Sequence, residues 1–293
     1  METAIFLGWN ALGDTLCTTP VLRAFRRAHP AARVLYVVQN AEFCRVLEGN
    51  PHVDLVLYSD ALYVHGLAAA TPEWVAGLPL ALERPAHLLR LDLRFVCTHA
   101  AAFHEHISVG FGKALGLTLD SVRPTVALDE RDRRAARLVA PRPYVALSLR
   151  SLANPRHADG NGGRKDWPGE RWAALAERLL ARGLDVLALG AERDPRPALP
   201  PGVRVLHGLP IRVVAALIEG AACFVTLENG LAHLAAAFDA PTVELYSDIV
   251  PLGWARPSAS TRCSLLYGDP RAFSVEQVEA CVDERLVSER VPA

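Results

Sequence analysis

The feature that most constrains this chain of 293 residues is an alternation of short apolar runs with longer segments of helical spacing. In the first half, "AIFLG", "ARVLYVVQ" and "VDLVLYS" read as strands, with "VLRAFRRAHP" and "AEFCRVLEG" as the helices between them. The stretch "GLAAATPEWVAGLPLALERPAHLLRLDLR" is interrupted by Pro72, Pro79 and Pro85 and shows no clear period; a helix is expected across "HEHISVGFGKALGL". The charged and then proline-punctuated "ALDERDRRAARLVAPRPY" is the best linker candidate. The rhythm then restarts with strands "YVALSLR", "DVLALG", "VRVLHG", "CFVTLE" and "TVELYS" around helices "GERWAALAERLLARG", "IRVVAALIEG" and one starting near Gly230. Trp172, Leu175, Ala176, Leu179 and Leu180 fall at i, i+3, i+4, i+7 and i+8, the stripe of an amphipathic helix. Gly183 stands where that helix should stop. A last helical segment, "SVEQVEACVDERL", is expected to pack back on the N-terminal half. Strands alternating with helices imply parallel sheets with helices on their faces. The expectation is an α/β protein of two domains, residues 1–140 and 141–293. Ligands of such sheets bind beyond the carboxyl ends of the strands.

Composition removes several function classes. Hydrophobic residues make up 51% and charged residues 22%, the balance of a chain that buries a core. The formal net charge of -1 gives no general attraction for nucleic acid. Cys17, Cys44, Cys97, Cys223, Cys263 and Cys281 are scattered without a CxxC pair, which suggests reduced thiols in a cytoplasmic protein and no zinc site. The apolar run in "METAIFLGW" is shorter than a signal peptide's. No uninterrupted apolar stretch approaches the roughly 20 residues of a membrane span. "GWNALGD" is not GxGxxG, which argues against a dinucleotide oxidoreductase. His99, His104, Glu105 and His106 tempt a metal reading, but His104 and His106 would diverge on a helix and no further ligand spacing supports them. No Asp-x-Asp pair is present to hold a divalent cation against a diphosphate.

The segment "TLENGLAHLAAAFDAP" carries the clearest chemistry: an apolar strand meets Glu228, Asn229 and Gly230, and a small-residue helix follows. The first amides of a helix lack internal partners and lie at the positive end of its dipole, so they attract anions. Gly230 would let a phosphate reach the amides of Asn229, Gly230 and Leu231, with His233 donating to a phosphate oxygen. Glu228 would repel that phosphate and fits better as an acceptor for sugar hydroxyls. The alternative is that Glu228 and Asn229 merely cap the helix and His233 packs against the sheet. Lys165, one of only two lysines with Lys113, stands just before a helix whose first turn suits Pro168. It is either a solvated lysine or a point charge for a diphosphate, and Asp166 beside it reads as a cap. The Gly/Asn-rich "LANPRHADGNGGR" before it is either a lid or plain surface loop. In "LGWNALGDTLCTTP", Asp14 ends a strand-to-helix loop as either a general base or an N-cap.

Taken together, "GDTLCTTPVLRAFRRAHP", "NPHVDLVL", "KDWPGERWAALAERL", "ENGLAHLAAAFDAPTVELYS" and "GWARP" resemble the ADP-heptose:lipopolysaccharide heptosyltransferases of glycosyltransferase family 9. The resemblance implies a GT-B architecture, two Rossmann-like domains facing across a cleft, with the acceptor in the first and the nucleotide sugar in the second. It implies inverting transfer of heptose from ADP-heptose to an acceptor hydroxyl, without a metal or other cofactor. It makes Asp14 the catalytic base, Lys165 the diphosphate ligand and Ser151 a nearby hydroxyl contact. Asn229, Gly230, Leu231 and His233 fall on its phosphate-binding turn, Leu209 lines the nucleobase, and Glu192 or Asp194 meets the ribose. Glu228 stands where the family usually has aspartate and Ser247 where it usually has glycine, which bears on the sugar read. Residues 1–140 hold 14 basic and 14 acidic side chains. A phosphorylated lipopolysaccharide acceptor would therefore rely on a local patch such as Arg23, Arg26 and Arg27, and would bring the enzyme to a membrane surface. A neutral small molecule or a protein acceptor remains open. The competing functions are a sugar-nucleotide epimerase and a non-catalytic sugar-nucleotide-binding protein.

Overall fold

Ala4, Ile5, Phe6 and Leu7 are at most 1% exposed, as a strand covered on both faces requires. They form β1 (Thr3–Gly8), the inner strand of a parallel sheet with β2 (Arg33–Val38), β3 (Leu55–Tyr58) and β4 (His87–Arg90), in the order β3-β2-β1-β4. This is a computed structural model that describes residues 2–8, 11–38, 40–58, 87–91, 105–141, 143–151, 165–192, 194, 198–254 and 260–288. The chain divides into two units, Met1–Ala127 and Leu128–Ala293. Among the described residues no helix is long and apolar enough to cross a membrane.

Three helices accompany the first sheet: α1 (Leu12–Ala28), α2 (Ala41–Leu47) and α3 (Ile107–Ala114). Gly8 closes β1 because a Cβ there would lie 2.5 Å from the Tyr36 hydroxyl. That hydroxyl is 2.9 Å from Thr18 Oγ1 on α1. Pro20 lies inside α1 and has no N–H for the Leu16 carbonyl. Thr19 Oγ1 supplies the missing donor at 2.7 Å. The same oxygen accepts from the Thr125 amide at 2.8 Å.

The basic patch expected on α1 is taken up by structure. Arg23 donates to Asp120 Oδ1, Thr125 Oγ1 and the carbonyls of Ser121 and Arg123 at 2.8–3.2 Å. Arg26 donates to Asp54 at 2.6 Å, and Arg27 pairs with Asp120. These guanidiniums hold loops of their own unit.

The expected linker is instead a helix, α4 (Glu130–Val139), and it belongs to the second unit. Asp129 caps it by accepting from the amides of Arg131 and Asp132 at 2.8 and 3.0 Å. Its charges are directed at α6 (Ile211–Glu219): Arg133 makes a two-pronged pair with Glu219 at 2.8 and 2.9 Å, and Arg212 reaches Asp132. The unit boundary therefore falls at 127/128, ahead of the expected 140/141.

The second unit carries a six-stranded parallel sheet in the order β10-β9-β8-β5-β6-β7. Its strands are β5 (Tyr144–Ser148), β6 (Asp185–Gly190), β7 (Arg204–His207), β8 (Cys223–Leu227), β9 (Thr242–Ser247) and β10 (Cys263–Gly268). One face of alternating residues, including Val145, Leu147, Val225, Leu227, Val243 and Leu245, forms the core with Trp172, Leu175 and Leu179 of α5 (Gly169–Ala181). Val278 and Val282 of α8 (Val275–Ser288) join that cluster. The last helix thus packs on its own unit's sheet and on α5. α7 (Gly230–Phe238) packs on β8 beside α6.

Candidate functional site

In the second sheet β5 is flanked by β6 on one side and β8 on the other, so the chain builds outward in both directions from it. Loops leaving two adjacent parallel strands in opposite directions part at their carboxyl ends and open a crevice there. That switch point falls between the loops after β5 and β8. The first loop supplies Ser151 and Lys165, and the second supplies Glu228 and Asn229. Residues 152–164, where the lid was expected, lie outside the described residues.

Lys165 and Glu228 meet across this point: the ammonium donates to Glu228 Oε2, with 28% and 14% of the two side chains exposed. Both were expected to face a ligand; in the structure they pair with each other. Asn229 is the N-cap of α7, and its Oδ1 accepts from the amides of Leu231 and Ala232 at 2.9 and 3.2 Å. Its Nδ2 donates to Ser148 Oγ at 3.1 Å and to the Arg150 carbonyl at 3.0 Å, tying the two loops together. The capping alternative therefore holds for Asn229, and the Leu231 amide is occupied by that cap. Gly230 opens the helix, and His233 is buried in its first turn.

Asp166 does not cap α5, whose N-cap is Pro168 without a side-chain bond. Instead Asp166 Oδ1 accepts from the amide and hydroxyl of Ser151 at 2.9 and 3.0 Å, fixing the residue beside Lys165. Glu192 follows β6 and Leu209 follows β7, the neighbouring strand of the same sheet. Gly208 has φ +74, and a Cβ on it would lie 3.1 Å from Glu192 Cβ. Asp194 accepts from the Ala191 amide at 2.8 Å, which closes the turn after β6. Ser247 is fully buried at the end of β9.

The sequence reading passed over Glu244. It lies on β9 opposite Thr226 of β8, is 0% exposed, and neither carboxyl oxygen has a hydrogen-bond partner among the described residues. Burial pushes its carboxyl well above the ordinary range, and the charge of nearby Glu228 adds to the rise. A raised folded-state value means the stabilising contribution is complete below the unfolded carboxyl range and is lost as pH climbs toward the folded value. Relative to Glu244→Gln, the protein should thus lose stability steadily above about pH 5, by up to roughly tenfold in folding equilibrium per pH unit. Denaturant melts of both proteins between pH 5 and 8 measure this; parallel curves would mean that Glu244 is already ionised in the fold.

In the first unit β1 occupies the corresponding place, flanked by β2 and β4. Asp14 sits in the first turn of α1 beyond the carboxyl end of β1, partly exposed, and its carboxylate accepts from the Ala11 amide at 3.2 Å. It therefore holds the helix start from the third position. Of the tempting histidine cluster, His99 and His104 lie outside the described residues. His106 caps α3 through Nδ1, and Glu105 pairs with Lys113 at 2.5 Å.

Residues 94–281 match the model of a family described as glycosyltransferase family 9 (heptosyltransferase). Lipopolysaccharide heptosyltransferase 1 of Pseudomonas aeruginosa is 40% identical over 93 residues, 30% of this chain and 26% of that protein. The match thus spans about a quarter of the relative's length. The fold is similar to that of a family 9 glycosyl transferase from Veillonella parvula, with a TM-score of 0.76, 18% identity and 98% of each chain covered. It is also similar to the ADP-heptose lps heptosyltransferase II of E. coli, with a TM-score of 0.71, 17% identity and coverage of 99% of this chain and 100% of that one. At these identities the structural likeness is one of fold.

Proposed function

The chain belongs to glycosyltransferase family 9, and on that premise we propose that it transfers a sugar, a heptose, from a nucleoside-diphosphate donor, ADP-heptose, to an acceptor hydroxyl with inversion and without a metal at the diphosphate. The observation that carries this reading is the Lys165–Glu228 pair beside the Asn229-capped start of α7, at the point where the strand order of the second sheet reverses. An ammonium there is a point charge suited to phosphate oxygens. A diphosphate brings more negative charge than Glu228 and draws Lys165 away from it. Glu228 is then released to accept hydrogen bonds from the donor's sugar hydroxyls, so one exchange of partners reads both ends of the donor.

The acceptor oxygen attacks the anomeric carbon opposite the diphosphate, giving its proton to Asp14 as the glycosidic bond forms and the bond to phosphate breaks. Negative charge grows on the departing diphosphate, where Lys165 and the positive end of α7 stabilise it. Because Asn229 occupies the Leu231 and Ala232 amides, the phosphate approaches this helix end through the Gly230 amide. Leu209 lines the nucleobase and Glu192 meets the ribose. The relatives' names specify lipopolysaccharide as the acceptor. With Arg23, Arg26 and Arg27 paired internally, recognition of such an acceptor here rests on its hydroxyls more than on its phosphates.

Incubation with ADP-heptose, GDP- and UDP-sugars, with and without a heptose-deficient lipopolysaccharide acceptor, tests the reading. Release of ADP that depends on acceptor is the expected result. A changed sugar nucleotide without acceptor would indicate an epimerase, and tight donor binding with no product a binding protein.

A further inference from the structure

Glu2, His29 and His87 come from three separate stretches of chain and converge at the amino end of the first sheet. Glu2 immediately precedes β1, and its carbonyl accepts from the Arg33 amide at 2.7 Å, which fixes the backbone on which the carboxylate stands. His29 is the C-cap of α1, its own amide held by the Phe25 carbonyl at 2.8 Å. His87 opens β4 opposite Ala4. One ligand atom from each side chain can be chosen so that all three lie within 4.8 Å of one another, the one such group of His, Cys, Asp or Glu among the described residues. His29 Nδ1 is 3.5 Å from Glu2 Oε1, and His87 Nε2 contacts the same oxygen.

The rings are also oriented. Phe25 stacks on His29 at a centroid distance of 4.3 Å and 16°, and meets His87 edge-on at 5.7 Å and 80°. The two imidazoles stand 5.1 Å apart at 64°. An aromatic wall thus holds both rings with a nitrogen toward the carboxylate, as outer contacts do around metal ligands. Tetrahedral bonds of 2.0–2.2 Å put neighbouring donor atoms about 3.4 Å apart, close to the His29–Glu2 separation; His87 Nε2, in direct contact with Glu2 Oε1, has to draw back to admit an ion. Side-chain exposures of 32–40% leave the open side to water. The carboxyl end of α1 adds the negative pole of its dipole, which favours a cation.

We propose that Glu2, His29 and His87 bind a divalent ion of the zinc class, with water in the fourth position. Two imidazoles and one carboxylate suit zinc, copper(II) or nickel(II), whereas magnesium and calcium take all-oxygen sets. The site lies at the far end of β1 from Asp14, with the strand's six residues, about 20 Å, between them. It joins the amino ends of β1 and β4 to the end of α1, and takes no part in binding the donor. The spacing of the three residues in sequence carries no motif, so nothing in the sequence singles them out as ligands.

The test is calorimetric titration of zinc chloride into the tag-free, chelator-stripped full chain, with His29→Gln, His87→Gln and Glu2→Gln alongside. One ion per chain at micromolar affinity is expected, weakened at least tenfold in each histidine variant and raising Tm in the parent only. Absence of saturable binding below millimolar zinc would overturn the proposal. So would binding that both histidine variants retain unchanged. Should either histidine variant fail to fold, Glu2→Gln, at a part-exposed side chain, decides: affinity as in the parent also counts against the site.

Discussion

Asp14→Asn is expected to cut turnover by roughly 10²–10⁴ while leaving donor affinity within about twofold. Asparagine is the informative change because Asp14 also accepts from the Ala11 amide at the start of α1. Truncation to alanine would remove that bond too, at a cost of about 0.5–2 kcal/mol to the helix start. The amide oxygen of asparagine keeps the hydrogen bond but has no appreciable basicity, so lost rate can be assigned to lost proton transfer. Single-turnover rates, an ADP binding titration and a melting curve on the same protein separate the three quantities. Turnover near the parent level would remove Asp14 from the chemistry and leave it as a structural residue of α1.

Lys165→Ala should lower kcat by roughly 10²–10³ and weaken donor binding as well, because the charge it supplies acts on both bound and departing diphosphate. The geometry makes a sharper statement. Without its lysine, Glu228 keeps a carboxylate beside the incoming phosphates and near buried Glu244, so part of the affinity loss is repulsion and not lost attraction. Lys165→Ala combined with Glu228→Gln should therefore bind ADP better than Lys165→Ala alone, while its kcat remains low. Additive losses in the double variant would show that the two side chains do not exchange partners around the diphosphate.

Much of the scaffold was legible in the sequence because parallel α/β packing writes itself locally. Trp172, Leu175, Ala176 and Leu179 are at most 2% exposed, as their spacing required. The strands of both sheets that the apolar runs indicated are present, and two were left unread: β4, inside the proline-broken stretch, and β10, an edge strand with no fully buried residue. A half-covered edge has weaker hydrophobic patterning to read. The supposed linker failed for a different reason. Arg133 and Arg212 find carboxylates 86 and 80 residues away, and a charge run cannot announce in advance that its partners lie on another helix.

The candidate site shows the same divide. Asn229 at a strand-to-helix turn declared itself through turn chemistry, including the capping that the structure displays. The union of Lys165 with Glu228 spans 63 residues and follows only from the order of the strands. Glu244 was in plain view as an acid between Val243 and Leu245. In a strand covered on both faces, an acidic residue has no solvent side to choose, and that signal was available.

The hydroxyl of Thr19 serves two masters, closing the carbonyl that Pro20 abandons in α1 and receiving the amide of Thr125. Valine has the same outline without the oxygen, so that exchange would orphan a carbonyl and an amide at a stroke, whereas serine would spare both. The residue proposed as base rides on that helix five positions earlier. A side chain touching no reactant thereby helps keep that first turn steady.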